Sequence, residues 1–200
     1  MKTLMFAALA AAALLVQGCA REGAVAGDGP TGDVLMIDDF NAGMKPNMLG
    51  GDFGAWDKDP EDFTQSAVAS FDPDVKLGDE GFSMRIEYDV DSPNPAFNGF
   101  WMKLEGADFS EYENLHFSVK GDPEAGFTER FKVELKNTAG ETGMYMLSGV
   151  TDEWQEMTLP LSSFRGLRDV SSMDEFVIVF EDTVANPKVG TIYVDNIYAK

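Results

Sequence analysis

From residue 34 onward, apolar and polar positions alternate with a period of two, and no stretch holds a 3.6-residue period long enough for a major helix. The clearest run is 82–88, where Phe82, Met84, Ile86 and Tyr88 share one face and Ser83, Arg85 and Glu87 the other. Phe100, Met102 and Leu104 alternate with Trp101 and Lys103. Leu115, Phe117 and Val119 alternate with His116, Ser118 and Lys120, and Phe131, Val133 and Leu135 with Lys132, Glu134 and Lys136. Further strand-like runs cover 34–40, 143–148, 154–159, 176–180 and 191–198. Turn formers punctuate them, as in 91–95 (Asp-Ser-Pro-Asn-Pro), 121–123 (Gly-Asp-Pro) and 137–140 (Asn-Thr-Ala-Gly). Many short alternating strands between turn signals predict an all-β sandwich over residues 34–200.

The same alternation sorts candidate chemistry. Apolar faces close a core between two sheets. The other faces carry Arg85, Glu87, Trp101, Lys103, His116, Lys132 and Glu134. A polar sheet face bearing an aromatic suits a sugar, whose hydroxyls take hydrogen bonds and whose C–H faces stack on rings. A solvated outer face is also polar by necessity, so the pattern alone leaves both readings open.

The first 33 residues follow other rules. Lys2 precedes an unbroken apolar stretch from Leu4 to Val16, followed by Gln17, Gly18 and the chain's single cysteine, Cys19. A basic start, a short apolar run and a small residue before the cut describe a secretory signal. The run is shorter than the ~20 residues of a membrane-spanning helix. A Cys directly after it resembles the bacterial lipoprotein signal, which implies cleavage before Cys19 and lipid on that residue. Residues 1–19 are then the signal peptide with its acceptor Cys, and 20–33, rich in Gly and Ala, a flexible tether. Ala20 lacks the Asp that implies inner-membrane retention in such lipoproteins, so the resemblance favours the outer membrane, facing periplasm or surface.

Charge narrows the partners. Asp and Glu number 35 against 15 Lys and Arg, a net −20. Such a surface repels nucleic acid and anionic lipid and suits divalent cations or neutral polar ligands. With Cys19 acylated, no thiol remains for catalysis or metal binding. The single histidine, His116, lies in a strand-like run, and no nucleophile motif accompanies it. The chain therefore reads as a non-enzyme. Asp57/Asp59, Asp72/Asp74 and Asp89/Asp91 are spaced like metal ligands but lack the EF-hand pattern, and read as solvated loops.

Several stretches in order carry a family likeness: 37–40 (Ile-Asp-Asp-Phe), 47–51 (Asn-Met-Leu-Gly-Gly) with Trp56 following, 108–121 from Asp108 to Gly121, 153–164 from Glu153 to Phe164, and 192–197 (Ile-Tyr-Val-Asp-Asn-Ile). Together they resemble the galactose-binding-like β-sandwich, and more narrowly family 11 carbohydrate-binding modules and the complex I intermediate-associated protein family. The resemblance spans about residues 34–200. It implies a jelly roll that binds poly- or oligosaccharide on a concave sheet. Side chains nominated for that face are Trp101, Lys103, His116, Lys132, Glu134 and Tyr145, with Trp56 in a flanking loop. It also implies a structural calcium where the first and last strands meet, at Asp38 or Asp39 and Asp195; calcium's six to eight oxygens can come from carboxylates and backbone carbonyls together.

Three functions compete. The first is a membrane-anchored lipoprotein that binds carbohydrate without chemistry. The second is an assembly lipoprotein recognising a protein partner, with the methionine-rich run 143–147 as adaptable contact surface. The third is a two-carboxylate glycosidase, which would require acids such as Glu87 and Glu134 to face each other.

Overall fold

The computed structural model describes residues 34–200. Cys19, the signal peptide and the tether lie outside the described residues. Eleven strands follow in order: β1 Leu35–Asp38, β2 Phe53–Asp57, β3 Ser66–Asp72, β4 Ser83–Asp89, β5 Phe97–Ala107, β6 Asn114–Gly121, β7 Arg130–Asn137, β8 Thr142–Ser148, β9 Gln155–Pro160, β10 Met173–Glu181 and β11 Val189–Ala199. One 3-10 turn, Leu161–Ser163, follows β9, and no α-helix occurs among the described residues.

The strands form two antiparallel sheets. The six-stranded sheet runs β3-β4-β11-β6-β9, with β1 also pairing β11; the five-stranded sheet runs β2-β5-β10-β7-β8. This is the all-β jelly-roll sandwich that the alternation and the resemblance predict. The apolar halves of the alternating strands meet inside: Met84, Ile86, Phe117, Val119, Ile192 and Val194 from one sheet, Phe100, Met102, Val133, Leu135, Phe176 and Ile178 from the other. Burying each such side chain contributes ~1.5–3 kcal/mol, so the inward faces fix which side of every strand turns inward. Tyr88 and Phe180 stack across the two sheets with centroids 4.0 Å apart.

Two strands do not stand out in the sequence. β3 turns Ala67, Ala69 and Phe71 inward and Val68 outward, so that Phe71 alone supplies hydrophobic contrast. β2 carries Gly54 and Ala55 between Phe53 and Trp56, and the pairing of β2 with β5 converts the expected loop around Trp56 into a strand. The stretch 47–51 clamps β5 from outside. Asn47 is buried, donates from Nδ2 to the Lys103 carbonyl at 2.8 Å, and accepts from the Leu49 and Gly51 amides at 3.0 and 2.7 Å. Gly51 is required there because a Cβ would overlap the Lys103 carbonyl.

Candidate functional site

The outward side of the five-stranded sheet forms ordered rows. One row reads Gly54–Trp101–Val177–Glu134–Met144 across β2, β5, β10, β7 and β8. The next reads Trp56–Gly99–Val179–Lys132–Met146. Each tryptophan thus stands opposite a glycine on one side, while Val177 flanks Trp101 on the other and the Phe97 ring lies edge-on to Trp56 at 6.0 Å. Trp56 and Trp101 are diagonal neighbours, a spacing within reach of large side chains. A third row, Lys103–Glu175–Lys136, flanks them.

These rows line a cleft of about 350 Å³ walled by Trp56, Trp101, Lys103, Glu134, Lys136, Glu175 and Val177. A second depression continues over β8, past Lys132, Met144, Met146 and Arg165. Met144 and Met146 are 45% and 42% exposed.

Ion pairs hold the polar groups in place. Lys103 Nζ lies 3.2 Å from both Asp174 and Glu175, and Lys136 Nζ lies 2.6 Å from Glu175. Lys132 Nζ lies 3.1 Å from Glu134 and 2.5 Å from Glu181. Burial works against the charge on Lys103 and Lys132, but the hydrogen bonds that they donate to their carboxylate partners outweigh it and hold both above the usual lysine range. The Lys103 and Lys132 ammoniums are therefore charged at neutral pH and held in place by these pairs. The Trp56 indole N–H is buried with no hydrogen-bond acceptor. An apolar strip of Trp56, Trp101, Val177 and Val179, edged by fixed donors and acceptors, can stack a ring and bond its hydroxyls.

Five of the nominated residues share this face: Trp56, Trp101, Lys103, Lys132 and Glu134. His116 does not. It lies on the outer face of the six-stranded sheet, stacked on Tyr198 at 4.7 Å, with Nδ1 3.3 Å from Thr158 Oγ1. Burial lowers its pKa, ahead of an opposing pull from Glu156. Arg85 and Glu87 sit on that same opposite face, paired at 3.0 Å. Tyr145 is a second correction: it pairs with Val133, turns toward the core and packs on Phe164 at 5.6 Å, reaching only the rim of the second depression. Glu87 and Glu134 lie on different sheets, so the two-carboxylate arrangement does not form between them. Alternation alone does not bring Glu175, Val177, Val179 and Lys136 to this face, and it offers Met144 and Met146 only as a protein-contact run. For the charged members the signal is the complementarity of Lys132 and Lys136 with Glu175 and Glu181, legible only once β10 is known to pair with β7.

At the opposite corner, β1 pairs with β11 through an irregularity at Asp38. Asp38 and Asp195 are 5% and 2% exposed. Burial chiefly pushes each up to about 6; Asp39 adds repulsion at both, and Asp38 adds to it at Asp195. Asp38 accepts the Phe40 amide at 2.9 Å, and Asp195 accepts those of Leu77 and Asn196 at 3.0 and 2.8 Å. Among the described residues, no group of three or more His, Cys, Asp or Glu side chains is arranged to hold a metal. Two buried, mutually repelling carboxylates nonetheless fit a divalent cation whose remaining oxygens are carbonyls or water.

Fold and face define a sandwich-type binding module. The chain belongs to the carbohydrate binding domain 30 family, whose model matches residues 47–200. It is similar to the family 11 carbohydrate-binding module of the cellulosomal cellulase Lic26A-Cel5E of Clostridium thermocellum, with 21% identity, TM-score 0.60, and 84% of this chain and 94% of that one covered. The family 11 module of Clostridium thermocellum in complex with a β-1,3-1,4-mixed-linked tetrasaccharide matches at 21% identity and TM-score 0.59, over 83% and 94% of the two chains. A family 30 carbohydrate-binding module matches at 16% identity and TM-score 0.58, over 84% and 87%. No curated protein matches the chain.

Proposed function

We propose that this protein is a non-catalytic carbohydrate-binding lipoprotein that holds a poly- or oligosaccharide on the open face of its five-stranded sheet. The observation that carries the reading is the pair of tryptophans, each opposite a glycine, set beside oriented Lys103, Lys132, Glu134 and Glu175. A β-linked glucan is the first ligand to try, because the similar family 11 module is described with a mixed-linked tetrasaccharide. Native gel electrophoresis with soluble β-1,3-1,4-glucan in the gel should retard the protein. Unretarded migration in that gel and in gels of cellulosic, xylan and cell-wall glycans would overturn the reading. The exposed Met144 and Met146 continue the same groove, and so extend the sugar platform rather than supply a separate protein-docking patch.

The leader supports an anchor. Lipid on Cys19 would hold the domain at the membrane, most simply the outer one given Ala20. Cys19→Ala should leave the protein unlabelled by radioactive fatty acid and release it from membranes; unchanged labelling overturns the assignment.

We also propose a structural calcium at Asp38 and Asp195, with Asp39 beside them. Excess chelator should lower Tm, and an identical melt would sink the idea. The calcium effect should depend on pH. Without the ion, both acids bind protons more tightly folded, at about 6, than unfolded, near the ordinary 3.8. The folded state then holds more protons over pH 4–6, so this contribution to stability falls as pH rises through that window. Calcium removes the penalty by pairing with the ionised forms. The difference in Tm between calcium and chelator should therefore be larger at pH 7 than at pH 5.

A further inference from the structure

Native proteins leave few buried polar atoms without partners. Among the described residues three buried side-chain oxygens have none: Asp57 Oδ1, Gln65 Oε1 and Asn98 Oδ1. They belong to one place in the fold. Asp57 and Asn98 are paired across β2 and β5. The Asn98 Nδ2 donates to the Asp89 carbonyl at 2.7 Å, and Asp89 pairs with Ser66, the residue after Gln65. Gln65 and Asn98 are 5% and 0% exposed. Their orientations are fixed, because each amide nitrogen is already committed, Asn98 to Asp89 and Gln65 to Asp62 Oδ2 at 3.1 Å. Turning either amide over would set oxygen against oxygen.

From this geometry we propose a second cation site, distinct from the Asp38 and Asp195 corner, in which Asp57, Gln65 and Asn98 supply a carboxylate and two amide oxygens to calcium. All three are acceptors, so their missing partner must be a donor or a cation. A lone water offers two hydrogens to three acceptors and leaves the carboxylate charge uncompensated. Calcium takes this mixture of carboxylate and amide oxygens and completes its shell with carbonyls or water. Asp62 stands behind Gln65, held below the usual carboxylate range first by Thr64 and further by Asn94 and Gln65, so it remains charged and orients the amide. Asp57 is therefore not the solvated loop acid that its spacing from Asp59 suggests: it belongs to β2, and its Oδ1 is enclosed.

Equilibrium dialysis with calcium alone tests this in an Asp195→Asn background, which silences the other corner. That variant should still bind about one calcium per chain. Adding Gln65→Met, which keeps the shape and deletes the oxygen, should weaken binding by at least 10- to 100-fold, the loss typical of removing even an outer partner of a metal ligand. Gln65→Glu should restore or tighten it. No calcium in the Asp195→Asn variant, or an affinity indifferent to both Gln65 changes, would overturn the site and leave buried water there. If Asp195→Asn does not fold, Gln65→Met in the otherwise unchanged chain should lower bound calcium by about one ion, and unchanged stoichiometry overturns the proposal. If instead Asp195→Asn leaves stoichiometry unchanged while Gln65→Met reduces it, the corner site fails and this one stands.

Discussion

Trp101→Ala should weaken binding of mixed-linked β-glucan by about 30-fold or more, the equivalent of ~2 kcal/mol for truncating a central aromatic anchor. Trp101 occupies the middle of the apolar strip, between Gly54 on β2 and Val177 on β10. A Cβ on Gly54 would come within 3.6 Å of its indole nitrogen, so the missing side chain leaves the ring edge open. A sugar ring lying there exchanges water on both apolar faces for contact, and truncation removes that surface without disturbing the core. Tm should therefore change by no more than a few degrees. Trp101→Phe should keep part of the affinity, because a smaller ring still stacks. His116→Ala serves as the control on the opposite sheet and should bind as wild type. Wild-type affinity in Trp101→Ala, measured by calorimetry on a folded sample, would remove the tryptophan strip as the binding surface.

How far the sequence carries depends on which physical signal each feature leaves in it. Strands such as β4 and β7, which set large apolar residues against charges, announce both their existence and their inward face. β3 leaves little trace, because two of its three inner positions are alanines, only Phe71 at its end is large, and Val68 faces out. Period two also has a built-in blindness: it divides each strand into two faces but does not say to which sheet the strand belongs. Arg85, Glu87 and His116 are outward-facing, as Trp101 and Lys132 are, yet β4 and β6 join β11 while β5 and β7 join β10. Membership of a sheet is a property of long-range pairing, so candidates that look equivalent in the sequence fall on opposite sides of the molecule. Tyr145 shows the local version of the limit. In the run Met144-Tyr145-Met146 all three residues are apolar, so alternation assigns no inner side, and the register with Val133 decides that Tyr145 turns in.

Gly99→Ala should cost roughly 3–5 kcal/mol, combining overpacking with a backbone conformation that side chains rarely adopt. In a domain of this size that corresponds to a fall in Tm of about 10 °C or more. Gly99 has φ +154, and a Cβ placed there would overlap the Ile178 carbonyl oxygen of β10. The obstruction is main chain, which cannot swing aside as a flexible side chain can. Relief would require β5 to separate from β10, the central strand of the five-stranded sheet. Gly140→Ala supplies the comparison: its φ is +84, yet nothing lies within 4 Å of the added carbon, so only conformational strain of about 1 kcal/mol should appear. The gap between the two variants isolates the steric part, and equal melts would mean that the close approach of β5 to β10 is not needed for stability. Gly99 also stands directly opposite Trp56 in the β2–β5 register. One glycine thus lets the strands close and leaves Trp56 with no side chain directly opposite it, which ties the stability of the sheet to the shape of its binding face. Any Gly99→Ala protein that remains folded should bind glucan more weakly than its modest surface change alone would suggest.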